Sequence, residues 1–258
     1  MPFSSPPPSL PAEFIIRDSG VDASLLELDI VRGDESTMLF TAPHGVNLAR
    51  DEKPEHLPED FTAYLARAWA THCRGASISW NARAHDWCCE HERPLPGARD
   101  PNYLSQDEAA DNSWVRALGS VSGRARVHVD VHGKADRDGE ASLDVGVGAL
   151  RAQRGDAAAD AVADTVAAAL RGALGAEYSV DSRPRLQGCW KSVPRLSLTQ
   201  SSSRLGLVAM QLEIGYTLRR ALGRDRRLCV RVAEAFAVCA PACLAAAAAA
   251  PGPGAVYT

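Results

Sequence analysis

The sequence predicts an α/β fold, a single domain of three layers (αβα) in which helices cover both faces of a mainly parallel, mixed central sheet. Short apolar runs rich in β-branched residues alternate along the chain with longer segments of helical periodicity, a pattern typical of parallel sheets. Hydrophobic residues make up 46% of the chain and charged residues 23%, close to the average of globular proteins. The 258 residues are many for one domain, but α/β chains of this length often fold around one sheet.

Composition divides the chain into three segments. Residues 1–11 are rich in Pro and Ser and are expected to be disordered, and residues 245–258 form an Ala-, Pro- and Gly-rich tail that is expected to be flexible. Residues 12–244 between them carry the periodic patterns. We therefore expect the α/β domain, and any chemistry, within residues 12–244.

Four elements and a long loop are predicted in the first half of this domain. Strands are expected at Leu25–Val31 and Thr37–Ala42, a helix from about Pro58 to His72, and a further strand near Ile78. Pro58 suits the first turn of the helix because its missing N–H has no partner there in any case. The stretch Arg83–Asp111 shows no clear period and is predicted to be a long irregular loop, which in a compact domain is usually functional or mobile.

Four elements are predicted in the second half. A strand is expected at Arg126–Val131, where apolar and polar residues alternate, and an Ala-rich helix at Ala157–Leu174. A strand at Leu207–Glu213 and a final helix from about Thr217 to Ala240 complete the prediction. Strands alternating with helices in this order favour a parallel sheet with both faces covered.

Several classes of protein are disfavoured by composition. The net charge of -4 provides no overall positive field for a nucleic-acid backbone, and the seven cysteines form no Cys-x-x-Cys pair. The longest apolar run, Leu244–Ala250, is shorter than the ~20 residues of a membrane span, and the first residues lack the pattern of a secretory signal. We expect a reduced, cytoplasmic protein with no nucleic-acid or membrane partner; its oligomeric state stays open.

Three predicted strands end in a residue that can bind a metal or move a proton. His44 follows the strand that ends at Ala42, His132 follows Val131, and Glu213 ends the strand that begins at Leu207. In open α/β sheets the ligand crevice lies beyond the carboxyl ends of the strands, so these side chains should converge although they are distant in sequence. Each histidine taken singly could equally be an ordinary polar residue, and Glu213 could pair with Arg219 or Arg220.

An acidic partner for the two histidines is needed, because catalytic zinc sites usually have three protein ligands and one open position. Glu59 and Asp60, at the start of the predicted helix, are the first candidates, and Glu52 is a weaker one. Acidic residues at a helix start also complement the helix dipole, which is the purely structural interpretation of Glu59 and Asp60.

The order of several short motifs resembles a known family. They are Pro43-His44-Gly45, Glu59-x-x-Thr62, Arg93-Pro94, Asp130-x-His132, Gly188-Cys189-Trp190-Lys191 and Gln211-Leu212-Glu213. This series is similar to that of the N-formylglutamate amidohydrolases, relatives of the zinc carboxypeptidases, and it runs from about residue 38 to residue 220. The resemblance implies a zinc carboxypeptidase-like (phosphorylase/hydrolase-like) fold. It also implies cleavage, by metal-activated water, of the amide of an N-acyl or N-formyl acidic amino acid or a similar small carboxylate.

The resemblance also implies roles for individual residues. Carried onto this chain, it makes His44, Glu59 or Asp60, and His132 the zinc ligands. Glu213 would be the general base and acid. It further implies that Arg93 and Lys191 bind the carboxylate or the oxyanion of the substrate.

This chain departs from the family pattern at positions expected to read the substrate. Glu92 precedes Arg93-Pro94 where the family usually has Asn, and Ser192-Val193 follow Lys191 where it usually has two glycines. The acyl group therefore stays open. Two alternatives are a carboxypeptidase-like peptide hydrolase and a catalytically silent relative that binds a partner or ligand.

Overall fold

The central sheet has seven strands, which a computed structural model describes together with the helices for residues 23–33, 36–50, 53–190 and 194–249. The strand order is β1-β3-β2-β4-β7-β5-β6. The strands are β1 (Leu28–Val31), β2 (Met38–Ala42), β3 (Ala76–Trp80), β4 (Val127–Lys134), β5 (Leu143–Gly146), β6 (Val180–Asp181) and β7 (Val208–Gly215). β1 against β3 and β5 against β7 are antiparallel and the other pairings are parallel, so the sheet is mixed and mainly parallel.

Helices cover both faces of the sheet and make the fold a three-layer α/β structure, as predicted. They are α1 (Thr62–Cys73), α2 (Ala82–His91), α3 (Gln106–Asp111), α4 (Ser113–Ser122), α5 (Gly148–Arg154), α6 (Asp156–Leu174), α7 (Leu198–Arg204), α8 (Tyr216–Arg224) and α9 (Arg226–Ala248). One face packs against α1, α6, α8 and α9 through a core that includes Phe40, Trp69 and Phe236. The other face packs against α2, α4 and α7 through a second core around Trp80 and Trp114.

The structure differs from the predicted elements in four places. The elements α4, β5, α5, β6 and α7 were not predicted. The stretch Arg83–Asp111 is not irregular: α2 and α3 lie within it, started by the side-chain caps of Asn81 and Ser105. The predicted final helix is two helices, because Asp225 ends α8 and its side chain caps the first N–H groups of α9. Finally, α9 continues to Ala248, so the predicted tail begins with helix; residues 1–11 and the end of that tail, residues 250–258, lie outside the described part.

The helix α9 has the length and apolar composition of a membrane span. However, 44% of the relevant window is buried inside the fold, where α9 packs against α6 and α1. Core helices meet the same length and composition criteria, so α9 is weak evidence for a membrane.

The carboxyl ends of β2, β4 and β7 meet at one edge of the sheet. The chain that leaves β2 folds back on itself: Leu48 and His56 exchange two backbone hydrogen bonds, of 3.0 and 2.9 Å. The Glu59 backbone N–H then donates to the His44 carbonyl at 2.8 Å, just before α1 begins. This loop brings residues that are fifteen positions apart in sequence into contact beyond the strand ends.

Candidate metal centre

His44 lies two residues beyond β2 and is almost completely buried. The indole Nε1 of Trp80 donates to the Pro43 carbonyl at 2.7 Å and holds the preceding residue in place. The two ring nitrogens of His44 face different carboxylates: Nδ1 is 3.0 Å from Glu59 Oε1, and Nε2 is 2.9 Å from Asp100 Oδ1. Its orientation is therefore set from both sides.

His132 lies in β4 on the same face of the sheet as Asp130, as period-two alternation requires. Its Nε2 is 3.0 Å from Asp130 Oδ2, and its Nδ1 points at the His44 ring, 3.0 Å from His44 Nδ1. Thr41 donates to Asp130 Oδ1 and fixes that carboxylate in turn. Each histidine thus has a carboxylate behind its Nε2, the arrangement that orients metal-bound imidazoles in proteins.

Glu59 completes a group of three converging donors. Its Oε1 is 3.0 Å from His44 Nδ1, its Oε2 is 3.5 Å from His132 Nδ1, and Oε2 accepts the Gly133 N–H at 2.8 Å. With metal–ligand distances of 2.0–2.2 Å, the ligands of a tetrahedral zinc ion lie about 3.3 Å from one another. The two imidazole nitrogens are 3.0 Å apart, and each faces one oxygen of the Glu59 carboxylate, at 3.0 and 3.5 Å, so the three side chains converge on the scale of such an ion.

The pKa values of His44, His132 and Glu59 are shifted by the charges that the three side chains place next to one another. Burial alone would lower the pKa of His44, but the Asp100 and Glu59 carboxylates outweigh it and raise the pKa to about 9. The pKa of His132 is raised in the same way by Asp130 and Glu59 against the effect of burial. Burial would raise the pKa of Glu59, yet the two imidazoles hold it well below its usual range. Metal ligands must be deprotonated, so a bound cation would compete with protons for this group.

Glu213 lies beside His132 because β4 and β7 pair in parallel with these two residues in register. Its side chain is on the His132 face of the sheet, and its Oε1 accepts a hydrogen bond from Gln211 Nε2. Burial raises the pKa of Glu213 to about 7, although His132 and His44 oppose the shift. A carboxylate with this pKa can both accept and donate a proton near neutral pH.

The structure therefore brings His44, Glu59, His132 and Glu213 together. Asp60 is not part of this group: it is exposed, and its backbone carbonyl accepts from Arg219 Nη1 at 3.0 Å. Of the two acidic candidates at the helix start, only Glu59 reaches the histidines.

The other candidates from the sequence are Arg93, Lys191 and Glu52, and none of them is placed with the four converging residues. Arg93 is exposed at the end of α2 with its guanidinium over the Trp87 ring, and none of its described contacts is with the four converging residues. Lys191 and Glu52 lie outside the described residues. Glu213 forms no ion pair with Arg219 or Arg220 in the described part of the chain, which contradicts that alternative interpretation.

Three residues of the site were not foreseen. Asp100 and Asn102 come from the stretch that was expected to be irregular; Asn102 lies against the Asp130–His132 pair, and its Oδ1 accepts the Leu198 N–H. His56 stacks on His44 with ring centroids 3.6 Å apart, and its Nε2 is 3.3 Å from Glu59 Oε1. No sequence signal identified these residues, because each acts through a contact between distant loops.

His56 gives a second trio of possible ligands. One donor atom each of His44, His56 and Glu59 lie within 4.8 Å of one another. In the trio with His132, both histidines have a carboxylate at Nε2, whereas Nδ1 of His56 faces the Leu57 carbonyl at 2.7 Å. His44, Glu59 and His132 are therefore the residues that best fit a metal ion.

An open cavity of about 530 Å³ lies over this edge of the sheet. It is lined by the Glu59 loop, the end of β4 and the start of α8, including His56, Gly133, Lys134 and Arg219. The cavity gives a small molecule access to Glu59 from solvent.

Comparison with known proteins gives similarity to solved structures only. No protein-family model and no curated protein matches the chain. A bacteriophage poly-gamma-glutamate hydrolase is 15% identical, with 88% of this chain and 91% of that chain covered and a TM-score of 0.49. A zinc-free apo form of YNDL is 15% identical (84% and 89% covered, TM-score 0.43).

A third similar structure is an N-acetylmuramoyl-L-alanine amidase from Clostridium difficile 630, which is 12% identical (80% and 95% covered, TM-score 0.40). At these identities and TM-scores, the similarities give no information on what this chain binds or cleaves.

Proposed function

We propose that this chain is a zinc-dependent hydrolase that cleaves the amide bond of an N-acyl amino acid or a similar small carboxylate, in the manner of the N-formylglutamate amidohydrolases. The observation that carries the proposal is the convergence of His44, Glu59 and His132 beside a buried Glu213. A converging set of three donors suits zinc, and a nearby proton carrier suits hydrolysis.

The three donors would hold the ion in the orientation that Asp100 and Asp130 impose on the two imidazoles. When bound, zinc supplies a Lewis acid for the scissile carbonyl and makes water acidic enough to react near neutral pH. The remaining chemistry falls to the chain's own groups.

Glu213 is the group that moves protons in this proposal. Its carboxylate takes a proton from the attacking water as the oxygen bonds to the amide carbon, and it returns that proton to the nitrogen as the C–N bond breaks. The products are a carboxylic acid and an amine, so the carboxylate of Glu213 is regenerated. General acid–base catalysis of this kind contributes about 10² to 10⁴-fold.

The first test is metal analysis of the purified protein together with an activity panel. We expect about one zinc per chain, and hydrolysis of one or more members of a panel of N-formyl- and N-acetyl-amino acids. Activity should disappear with a zinc chelator and return with added zinc. Short peptides in the same panel separate an amidohydrolase from a carboxypeptidase-like enzyme.

Variants provide matched controls for this test. His44→Ala and His132→Ala should lose the metal, whereas His91→Ala should keep it, because His91 is exposed and stacks on Trp87. A folded wild-type protein that takes up no zinc would contradict the proposal. Activity that survives complete removal of zinc would contradict it as well.

A further inference from the structure

Arg219, in the first turn of α8, is a buried cation in the cavity that reaches Glu59. Its side chain is 6% exposed, and it lines the cavity together with Glu59 and Gly133. Nη1 donates to the Asp60 carbonyl at 3.0 Å and Nη2 to the Lys134 carbonyl at 3.4 Å, while Nε is buried without a partner. Two of the five N–H hydrogens of the guanidinium are thus used, and the other three have no acceptor among the described residues.

The charge of Arg219 is also uncompensated within the described part of the chain. The other two strong bases that line the cavity have acidic partners: Arg50 pairs with Asp100, and Lys134 pairs with Asp144 at 2.7 Å. Arg219 has carbonyl partners only, and the Tyr216 ring lies 5.7 Å from its Cζ. A buried cation without a counter-ion is costly, and the N-terminal turn of a helix disfavours positive charge further.

The guanidinium lies close to the metal donors. A Cβ added at Gly133 would come within 2.1 Å of Arg219 Nη1, so the group rests directly on the Gly133 backbone. The Gly133 N–H donates to Glu59 Oε2 at 2.8 Å on the same residue. The guanidinium and the Glu59 carboxylate therefore both lie against Gly133.

We propose that Arg219 binds the carboxylate of the substrate, so that the preferred substrates carry a free carboxylate next to the scissile amide. This inference rests on the proposed function and names the residue that reads the substrate. An arginine can bind both oxygens of a carboxylate, which would use the Nη hydrogens that the two carbonyls leave free and would neutralise the buried charge.

Two other roles for Arg219 make different predictions. A purely structural role would tie α8 to the Asp60 and Lys134 carbonyls and would affect every ligand equally. Stabilisation of charge on the scissile carbonyl would slow hydrolysis of all substrates by the same factor. Only a carboxylate-binding role depends on whether the ligand carries a carboxylate.

Binding to the metal-free protein tests the inference without hydrolysis. The probes are N-formyl-L-glutamate and its diamide, measured by isothermal titration calorimetry. We expect the acid to bind about 10- to 100-fold more tightly than the diamide, as charge-assisted hydrogen bonds imply, and Arg219→Gln to abolish this preference. Arg219→Lys should recover only part of it, because an ammonium lacks the fork.

The control is Arg220→Gln, which removes an exposed positive charge from the next position of the same helix. It should keep the preference for the acid. Equal binding of the two probes to the wild-type protein, or the same loss of preference in Arg220→Gln as in Arg219→Gln, would overturn the inference. Thermal unfolding and zinc content of each variant show whether α8 is still folded.

Hydrolysis by the zinc-loaded protein separates this inference from the proposed function. The ratio of kcat/KM for acid and amide forms of one substrate should fall by about 10- to 100-fold in Arg219→Gln. Equal losses for both forms would overturn the carboxylate role while leaving the hydrolase intact. Conversely, if no panel member is hydrolysed but the binding preference depends on Arg219, the proposed function fails and the anion site stands.

Discussion

The two faces of β2, β4 and β7 are made from alternate residues of the same strands, yet they differ in almost every respect. One face is apolar and packs against α1, α6, α8 and α9; its residues include Phe40, Val129, Val131, Met210 and Leu212. The other carries a run of buried polar groups that ends at the candidate metal centre: Thr41, His128, Asp130, His132, Gln211 and Glu213.

This difference shows how one sheet serves stability and chemistry at once. The apolar face needs only burial, whereas buried polar groups need partners to offset their desolvation. His128 has them: Thr41 Oγ1 lies 2.8 Å from its Nε2, and Ser202 Oγ lies 2.7 Å from its Nδ1. The polar face therefore depends on specific contacts, and substitutions on it should have different consequences from substitutions one residue away.

The largest contrast is expected between Glu213 and Leu212, which are neighbours in β7 on opposite faces. Glu213→Gln should lower kcat by about 10² to 10⁴-fold without unfolding the protein, because it removes the proton carrier and keeps the shape. Leu212→Ala should lower the free energy of unfolding by about 2–5 kcal/mol through a cavity in the core, with kcat retained in the protein that remains folded. Enzyme assays beside urea unfolding would measure both, and equal loss of kcat in the two variants would contradict the separation of the faces.

The next prediction concerns the free energy of unfolding, which the buried carboxylate of Glu213 should lower at high pH. The pKa of Glu213 is about 7 in the folded chain and near 4.5 when unfolded, so its carboxyl contributes stability below pH 4.5 that is lost as pH rises through 7. Metal-free Glu213→Gln should therefore gain stability over wild type as pH rises, by about 3 kcal/mol above pH 7. Unfolding curves at pH 5 and pH 8 measure the gain, and a difference that does not change with pH would contradict the buried carboxylate.

A smaller effect, on zinc affinity, is expected from Asp100, which contacts the candidate ligand His44. Asp100→Asn should weaken zinc binding by about 10- to 100-fold, because the amide no longer holds the His44 ring as a carboxylate does. Asp144→Asn is the matched control: it also removes one negative charge, but from a residue that pairs with Lys134. Competition with a chelator of known affinity compares the two. A similar loss in both variants would mean that net charge, and not the Asp100–His44 contact, sets the affinity.

The comparison of the faces also separates what could be predicted from the sequence from what could not. Alternation in residues 127–132 revealed both faces of β4, and the strand-end positions of His44, His132 and Glu213 anticipated their convergence. These are local patterns combined with one general rule of sheet geometry. The α/β fold class followed from the same periodicities.

The rest depends on contacts that no local pattern encodes. Asp100 reaches His44 across 56 positions, and His56 stacks on His44 only because the Leu48–His56 pairing folds the loop back. Arg93 was expected in the site, but the left-handed turn at Glu92 that ends α2 leaves its guanidinium on Trp87. The helix α2 was itself missed, because its polar, weakly periodic sequence depends on a cap and on tertiary packing.

Loss of the Asn81 cap of α2 gives the smallest expected effect. It also tests whether the stability of the fold and zinc binding can be changed separately. Asn81 Oδ1 accepts the Ala84 N–H at 2.8 Å at the start of α2, and its Nδ2 donates to the Ser24 carbonyl at 2.8 Å. Asn81→Ala should lower the free energy of unfolding by about 1 kcal/mol, which is typical for the loss of a helix cap. Zinc affinity and kcat should not change, because the hydrogen bonds of the Asn81 side chain go to Ser24 and Ala84 and not to the candidate ligands. Since α2 packs on the same face as the metal centre, weaker zinc binding in Asn81→Ala would show that this packing, and not only the polar contacts, positions the ligands.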